Sequence, residues 1–209
     1  MKQQGWNHSM PQEILVATQL QQLVQNKEYD QIAKLLDKIT IKDKGVLGVE
    51  ECKHEGMGDR SKLKVTLQNG HSYNDDCIDF WDDIYAENSP QGAWQVFLLS
   101  QLWTYLPLFW HDNYEHRDYI YTNEQLAIIV TKPDIKGQPI ENFDSTKYDV
   151  TPHITKSEED KYVIHTCYWS DFEGLVREEF RLSISEKGEI SFWPSRKKIL
   201  FQYNCGICF

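Results

Sequence analysis

Apolar residues near the start of the chain recur at the spacing of an amphipathic helix. Pro11 suits a first helical turn, and Ser9 followed by Gln12 forms a capping-box pattern. A second apolar stripe follows Asn26, so residues 9–40 are predicted to form a helical hairpin. The stripes comprise Ile14, Ala17, Leu20, Leu23 and Val24 in the first helix, and Tyr29, Ile32, Leu35, Leu36 and Ile39 in the second.

Residues 45–132 combine strand and helix patterns. Apolar and polar residues alternate cleanly from Lys62 to Gln68, which predicts a half-buried strand. Asn69-Gly70 directly after it is a strong signal for a hairpin turn. The predicted strands of this region are Gly45–Cys52, Lys62–Gln68, Tyr119–Tyr121 and Leu126–Thr131.

Two helices are predicted between these strands. The first is acidic and spans Asp75–Ala86. The second begins at Ser89-Pro90, where serine can cap and proline takes the first helical position, and Pro107 ends it. Because the second helix is apolar nearly all round, we expect it at the centre of the fold. Its polar residues, such as Gln95, argue against a membrane-spanning segment over Gly92–Trp110.

The last part of the chain has the pattern of an antiparallel sheet. From Val176 to Ile184 apolar residues alternate with polar ones, which predicts one buried and one exposed sheet face. Proline and charged residues accumulate over 133–160, which is predicted as a long loop. The sheet is expected over 161–205, with strands Lys161–Trp169, Leu175–Ser185, Glu189–Trp193 and Lys198–Asn204.

These patterns predict one α+β domain over residues 1–209, with an N-terminal helical hairpin, a central apolar helix and a C-terminal antiparallel β-meander sheet. Composition is consistent with a folded domain, because aromatic residues make up 13% of the chain and include seven tryptophans. Acidic residues number 32 and basic residues 22, so the formal net charge is −10. That charge argues against nucleic-acid binding, which needs a basic surface.

Cysteine usage and the N-terminal segment predict a cytoplasmic protein. The chain has five cysteines, an odd number for a disulfide framework, so reduced thiols are the simpler interpretation. Met1–Met10 is polar and lacks the apolar core of a secretory signal.

The spacing of Cys205 and Cys208 is that of a zinc half-site. Two further ligands would be needed, and the candidates are Cys52 with His54 or His165 with Cys167, since residues two apart on a strand share one face. Since the chain has no second pair at this spacing, two partly buried thiols without metal are the favoured interpretation, and no cofactor is predicted.

A run of acids, Asp75-Asp76-Cys77-Ile78-Asp79, resembles the magnesium-diphosphate motif of terpene and prenyl synthases. The resemblance covers five residues, and that family works on an all-helical scaffold with a second metal-binding motif that this chain lacks. Residues 111–116 gather two histidines and two acids without a zinc-protease spacing. No nucleophile elbow, phosphate-binding loop or dinucleotide fingerprint is present, so a non-enzymatic function is favoured.

The net charge leads to the first functional hypothesis, an acidic module that binds a basic protein. Strong negative charge speeds association with a cationic partner, and tyrosines serve as interface anchors. Bacterial immunity proteins, which neutralise toxins, share this general profile of small size and acidity. The candidate partner-binding residues are Asp75, Asp76, Asp79, Asp82, Asp83, Tyr114, Tyr119 and Tyr121.

The order of elements leads to the alternative hypothesis, a small-ligand-binding protein or enzyme. Helices followed by a long antiparallel meander are similar to the cone-shaped folds of the nuclear-transport-factor-2-like group. That similarity implies a cavity between a curved sheet and the helices, and it carries over no catalytic residue. We expect a cavity of several hundred cubic ångströms with His165 or Arg177 on its wall. The candidate pocket residues are His165, Trp169, Arg177 and Arg181.

Overall fold

A computed structural model describes residues 10–52, 60–74, 80–106, 117–131, 140, 143–157 and 161–203. Among them are four α-helices and three antiparallel sheets, so the α+β class is confirmed. The helices are α1 (Pro11–Gln25), α2 (Ile32–Leu35), α3 (Pro90–Tyr105) and α4 (Asn123–Thr131). The strands are β1 (Ile39–Ile41), β2 (Val46–Cys52), β3 (Arg60–Thr66), β4 (Ser72–Asn74), β5 (Ile84–Ala86), β6 (Asp118–Ile120), β7 (His153–Lys156), β8 (Tyr162–Ser170), β9 (Gly174–Ile184) and β10 (Ile190–Gln202).

The predicted helical hairpin is wrong in its second half. Helix α1 forms as expected and buries Ala17 and Leu20. After it the chain makes only a short 3-10 turn and the single turn of α2. Ile39 then lies in β1, which pairs with β5. Two β-branched isoleucines flanking Thr40 favour this extended backbone, and pairing with β5 provides partners for its backbone hydrogen bonds.

The first two sheets lie in the N-terminal half of the chain. β2, β3 and β4 form one antiparallel sheet, and the turn between β3 and β4 contains Gly70 with φ +83°, as the Asn69-Gly70 signal predicts. The predicted acidic helix is wrong at its end, because Phe80–Asp83 is a 3-10 turn and Ile84–Ala86 is strand β5. Residues 75–79 lie outside the described part of the chain.

Helix α3 is the central element, as predicted. The Ser89 hydroxyl accepts a hydrogen bond from the Gly92 backbone N–H (3.1 Å), which caps the helix, and Pro90 occupies its first turn. The helix packs on α1 and on strands of all three sheets. Polar Gln95 is satisfied inside the fold by the Lys38 backbone N–H (2.7 Å) and the Asp37 carboxylate (2.8 Å). No helix of the described residues is long and apolar enough to cross a membrane.

The C-terminal sheet runs in the order β10-β9-β8, and β6 and β7 both pair with β8. The β8-β9-β10 meander confirms the predicted antiparallel character of this sheet. The predicted bounds are wrong, because β7 lies inside the expected loop over 133–160 and pairs with β8, which extends the sheet beyond residues 161–205. The prediction of two separate last strands is wrong, because Pro194 and Ser195 lie at a bulge inside one strand, β10. Proline has no backbone N–H to donate, and an edge strand tolerates this loss because one of its sides needs no hydrogen bonds to a neighbouring strand. Leu126–Thr131, predicted as a strand, is part of helix α4.

The two faces of this sheet are covered by different hydrophobic clusters. The inner face packs on α3 through residues such as Ile164 and Leu182. One end of the outer face bears a smaller cluster with Cys167, Trp169 and Leu175, covered by α4 and residues 143–150. Side chains on the inner face and side chains on the outer face of β8 and β9 therefore belong to different clusters, and residues on opposite faces of these two strands cannot line one common pocket.

Candidate functional site

A groove of about 370 Å³ lies between α1, α3, α4 and β6. Helical spacing places its apolar residues on facing helix surfaces, since neighbours four apart share one side of a helix. A larger depression of about 550 Å³ near Asn69 is lined mainly by exposed residues of two turns. A molecule bound there would be less buried than one in the groove. The main apolar wall residues of the groove are Ala17, Leu20, Leu98, Leu102, Ile128 and Ile129.

Glutamine side chains hold the elements of the groove together. Gln125 Oε1 accepts hydrogen bonds from the backbone N–H groups of Tyr121 (2.7 Å) and Thr122 (3.2 Å). Gln21 Nε2 donates to the backbone carbonyl of Tyr119 (3.4 Å), and Gln125 Nε2 donates to Gln21 Oε1 (3.5 Å). These contacts tie α1 to the end of β6 and the start of α4, which fixes one wall of the groove.

Arg117 lies at the groove wall just before β6, and it is half-buried. Its guanidinium carbon lies 4.8 Å from the ring centroid of Tyr168, and the ammonium of Lys197 lies 5.6 Å from the same ring. The Tyr168 hydroxyl donates to Glu173 (2.8 Å). Burial and this carboxylate raise the pKa of the Tyr168 hydroxyl, so the ring stays neutral and its face attracts both cations.

A buried carboxylate lies behind the groove wall. Glu178 is 4% exposed, and its Oε2 accepts a hydrogen bond from the Tyr119 hydroxyl (2.7 Å). The sheet register places Glu178 between Thr166 on β8 and Lys197 on β10. The Thr166 hydroxyl is buried without a hydrogen-bond partner among the described residues. Tyr119 therefore links the groove wall to the neighbouring polar residues Thr166, Glu178 and Lys197 on the inner sheet face.

The predicted pocket residues lie on the opposite, outer face of the sheet and do not line the groove among the described residues. His165 stacks on His153 with ring centroids 4.3 Å apart and an interplanar angle of 8°. Burial and the charge of His153 lower the pKa of His165 to about 4. His165, Arg177 and Arg181 share this face, and Trp169 is buried in the smaller cluster.

Both arginines of the outer face already have partners. Arg181 Nη2 contacts Glu179 Oε2 at 2.6 Å, while its Nε is buried without a hydrogen bond among the described residues. Arg177 Nη2 donates to the backbone carbonyl of Asp149 (2.6 Å). The Arg177 contact ties β9 to the 143–150 segment, whereas the Arg181 contact lies within β9. A role of either arginine in ligand binding stays a prediction.

The zinc hypothesis rests largely on residues outside the described part of the chain, since Cys205 and Cys208 are not described. Cys167 is buried, and desolvation raises the pKa of its thiol, which opposes the thiolate form that zinc requires. Among the described residues no group of three or more His, Cys, Asp or Glu side chains is placed to hold a metal.

Of the predicted partner-binding residues, Asp82 is exposed. Asp83 accepts a hydrogen bond from the Tyr73 hydroxyl (2.5 Å) and pairs with Lys42 (3.1 Å), and these contacts lower its pKa. Asp83 therefore has a structural role beside any interface role. Tyr119 and Tyr121 are buried, at 6% and 3% exposure. Asp75, Asp76, Asp79 and Tyr114 lie outside the described residues.

An exposed aromatic patch lies beside Asp82, formed by Trp81, Trp103 and Phe192. Trp103 and Phe192 are each 40% exposed. The Trp81 ring packs edge-to-face on both, with centroid distances of 6.1 Å to Trp103 and 4.9 Å to Phe192. Because three separate elements contribute one ring each, local sequence pattern gives no sign of this patch.

The sequence patterns also missed the polar residues of the groove. One signal was present, because Gln21 lies one helical turn after Ala17, within the apolar stripe of α1. Arg117, which directly precedes the short strand β6, offers no comparable signal. The chain matches no family model, no curated protein and no solved structure.

Proposed function

We propose that this protein binds a small, largely apolar molecule in the groove between α1, α3, α4 and β6. The single observation that carries the proposal is the groove itself, an apolar concavity of about 370 Å³ with a few polar groups on its wall. Sites for small molecules are typically concave and mostly apolar, with a few placed polar groups. The second sequence hypothesis expects a ligand cavity with His165 or Arg177 on its wall, and neither residue lines this groove, so the proposal keeps the ligand-binding function and assigns it to other residues.

The wall of the groove is held in place without a ligand. The mutual hydrogen bonds of Gln21 and Gln125, and those they make to the backbone, already satisfy these amides. A ligand would not have to order them, so less free energy is lost on binding. Preorganisation of this kind supports a binding site over an accidental packing gap.

Binding of Nile red, a neutral apolar dye, tests this function by fluorescence titration. Ile128 lines the groove and is 58% exposed, while Leu15 lies outside the groove and is 56% exposed. Ile128→Glu should weaken dye binding about tenfold, because a charge next to an apolar ligand must lose hydration. Leu15→Glu, the matched control, should bind as the wild type does. Failure of the wild-type protein to bind the dye, or equal binding by both variants, would contradict the proposal.

Recognition of a basic protein is the second candidate function, and the aromatic patch supports it. Partly exposed tryptophans are the side chains that most often dominate binding energy at interfaces. The formal charge of −10 would speed association with a cationic partner, and exposed Asp82 directly follows Trp81 of the patch. An immunity-type protein that neutralises a basic toxin would combine these properties.

The product of a neighbouring gene that encodes a basic protein is the probe for this second function. Trp103→Ala should weaken its binding by a factor of about ten or more. Asp82→Asn should slow association and flatten its salt dependence, because one steering charge is removed. Lys34→Gln, a change of an exposed charge on α2, is the control and should not slow association. Unchanged binding by Trp103→Ala would contradict an interface at the patch.

A further inference from the structure

We propose that the molecule bound in the groove is an amphipathic carboxylic acid whose carboxylate is held by Arg117. This inference rests on the proposed small-molecule function and names the chemical class of its ligand. The apolar wall would receive the hydrocarbon part, and the guanidinium would receive the charged end. Its first support is the position of Arg117.

Arg117 is held in place by the ring beneath it. The guanidinium carbon lies 4.8 Å above the ring centroid of Tyr168, which is fully buried. Stacking on an aromatic face leaves the edge donors of a guanidinium directed outward. With five N–H donors, the group can keep an existing partner and still bind a carboxylate through two hydrogen bonds. A planar anion suits this geometry better than a neutral hydroxyl does.

The charge of the groove wall also favours an anion. Among the described residues that line the groove, Arg117 is the only cation and Asp118 the only carboxylate. Asp118 is exposed, so water screens it, whereas Arg117 is half-buried. Lys197, which approaches the same Tyr168 ring from β10, adds to the positive potential at this end. Of the two charged residues that line the groove, Arg117 is therefore the more buried. The nearby carboxylates of Glu178 and Glu173 each accept a hydrogen bond from a tyrosine hydroxyl, and neither lines the groove, so Arg117 is the charge offered to a head group.

The size of the groove limits the length of the ligand. A volume of about 370 Å³ is near the lower end of the range for small-molecule sites. Leu98 and Leu102 on α3 and Leu20 on α1 all line the groove and provide an apolar surface for a short chain. Medium-chain compounds are therefore the appropriate probes.

Isothermal titration with decanoate, decanol and decylamine tests the head group, because the three probes share one hydrocarbon chain. Wild-type protein should bind decanoate about tenfold or more tightly than decanol, as expected for a charge-assisted bidentate contact. Arg117→Gln should lower the affinity for decanoate to about that of decanol. Arg117→Lys should keep part of it, since lysine retains the charge without the planar fork. Arg196→Gln removes an exposed arginine of β10 and should change neither affinity.

Each result of this titration has a definite meaning. Equal affinity of the wild type for decanoate and decanol overturns the carboxylate assignment while the small-molecule function stands. Tighter binding of decylamine overturns it as well and assigns the preference to Asp118. Failure of all three probes and of Nile red overturns the small-molecule function itself. The wild-type comparison decides the assignment even where Arg117→Gln fails to fold.

Discussion

His153 and His165 lie opposite each other on β7 and β8, and their imidazole rings stack with centroids 4.3 Å apart. The His165 Nε2 lies 3.2 Å from the Thr155 hydroxyl oxygen. The sheet register places Glu179 opposite His165 on the other side, with Arg177 and Arg181 on the same face. Protonation of both rings would place two positive charges in contact beside these two arginines.

The first prediction concerns the pH dependence of stability. Burial and the charge of His153 lower the pKa of His165 from its ordinary 6.5 to about 4. The unfolded chain therefore takes up a proton at higher pH than the folded one, and stability falls as the pH drops from about 6.5 to about 4. Because the ring is partly exposed, the loss should be on the order of 1 kcal/mol.

Urea unfolding at pH 7.5 and pH 5 measures this effect. His165→Gln should reduce the difference in unfolding free energy between the two pH values. His71→Gln, a change of an exposed histidine, serves as the control and should leave the difference as in the wild type. An unaltered pH dependence in His165→Gln would show that this ring is not the titrating group.

The second prediction concerns the buried pair of Tyr119 and Glu178. Tyr119→Phe removes the hydroxyl that donates to a carboxylate only 4% exposed. The unfolding free energy should fall by about 1.5–3 kcal/mol, because the buried acceptor is left with less compensation. Chemical denaturation of the two single variants and of Tyr119→Phe combined with Glu178→Gln gives the coupling energy. A coupling energy near zero would contradict the importance of this hydrogen bond.

The third prediction concerns the cap of the central helix. Ser89→Ala should lower the unfolding free energy by about 1 kcal/mol, because the Gly92 backbone N–H loses its acceptor. Ser89→Asp should retain most of the stability, since its carboxylate can accept the same hydrogen bond. Ser191→Ala, an exposed change on β10, is the matched control. Similar melting temperatures for the two alanine variants would be evidence against a stabilising cap.

The fourth prediction compares two glycines with left-handed backbone. Gly174 has φ +85°, and a Cβ atom there would lie 2.2 Å from the Phe201 carbonyl oxygen. Gly70 has φ +83° with open space around it. Gly70→Ala should lose about 1–2 kcal/mol from backbone strain alone, and Gly174→Ala should lose at least about 2 kcal/mol more from the backbone clash. Equal melting temperatures for the two variants would contradict the close approach of β10 to this turn.

Local chemistry was sufficient to predict several elements. The Ser89-Pro90 start of α3, the Asn69-Gly70 turn and the alternation along β9 all depend on neighbouring residues, and the structure confirms them. Interactions within a few residues determine such features, so sequence patterns reveal them.

Elements that depend on distant partners were predicted less well. Ile128, Ile129 and Val130 are β-branched and locally favour a strand, yet they lie in α4. The Thr122 hydroxyl accepts a hydrogen bond from the Gln125 backbone N–H at the start of this helix, and the helix then covers the outer hydrophobic cluster. Tertiary packing therefore outweighed local propensity here.

The groove is the extreme case of this dependence. Its walls come from α1, from α3 and from the adjacent β6 and α4, three separate parts of the sequence, and no single segment carries a recognisable motif. Arg117 gains its significance only from the buried Tyr168 ring next to it in space. A binding site assembled in this way becomes visible only once the fold is known.

Strand β10 has a neighbour on one side only among the described residues, so one row of its backbone groups faces outward. An exposed sheet edge of this kind can pair with a strand of another molecule and so start aggregation. Pro194 lacks a backbone N–H, the adjoining bulge breaks the regular spacing, and three consecutive cations (Arg196, Lys197 and Lys198) repel a second copy of the same strand. These three features should oppose edge-to-edge pairing of β10 between molecules, although the strand is long and exposed.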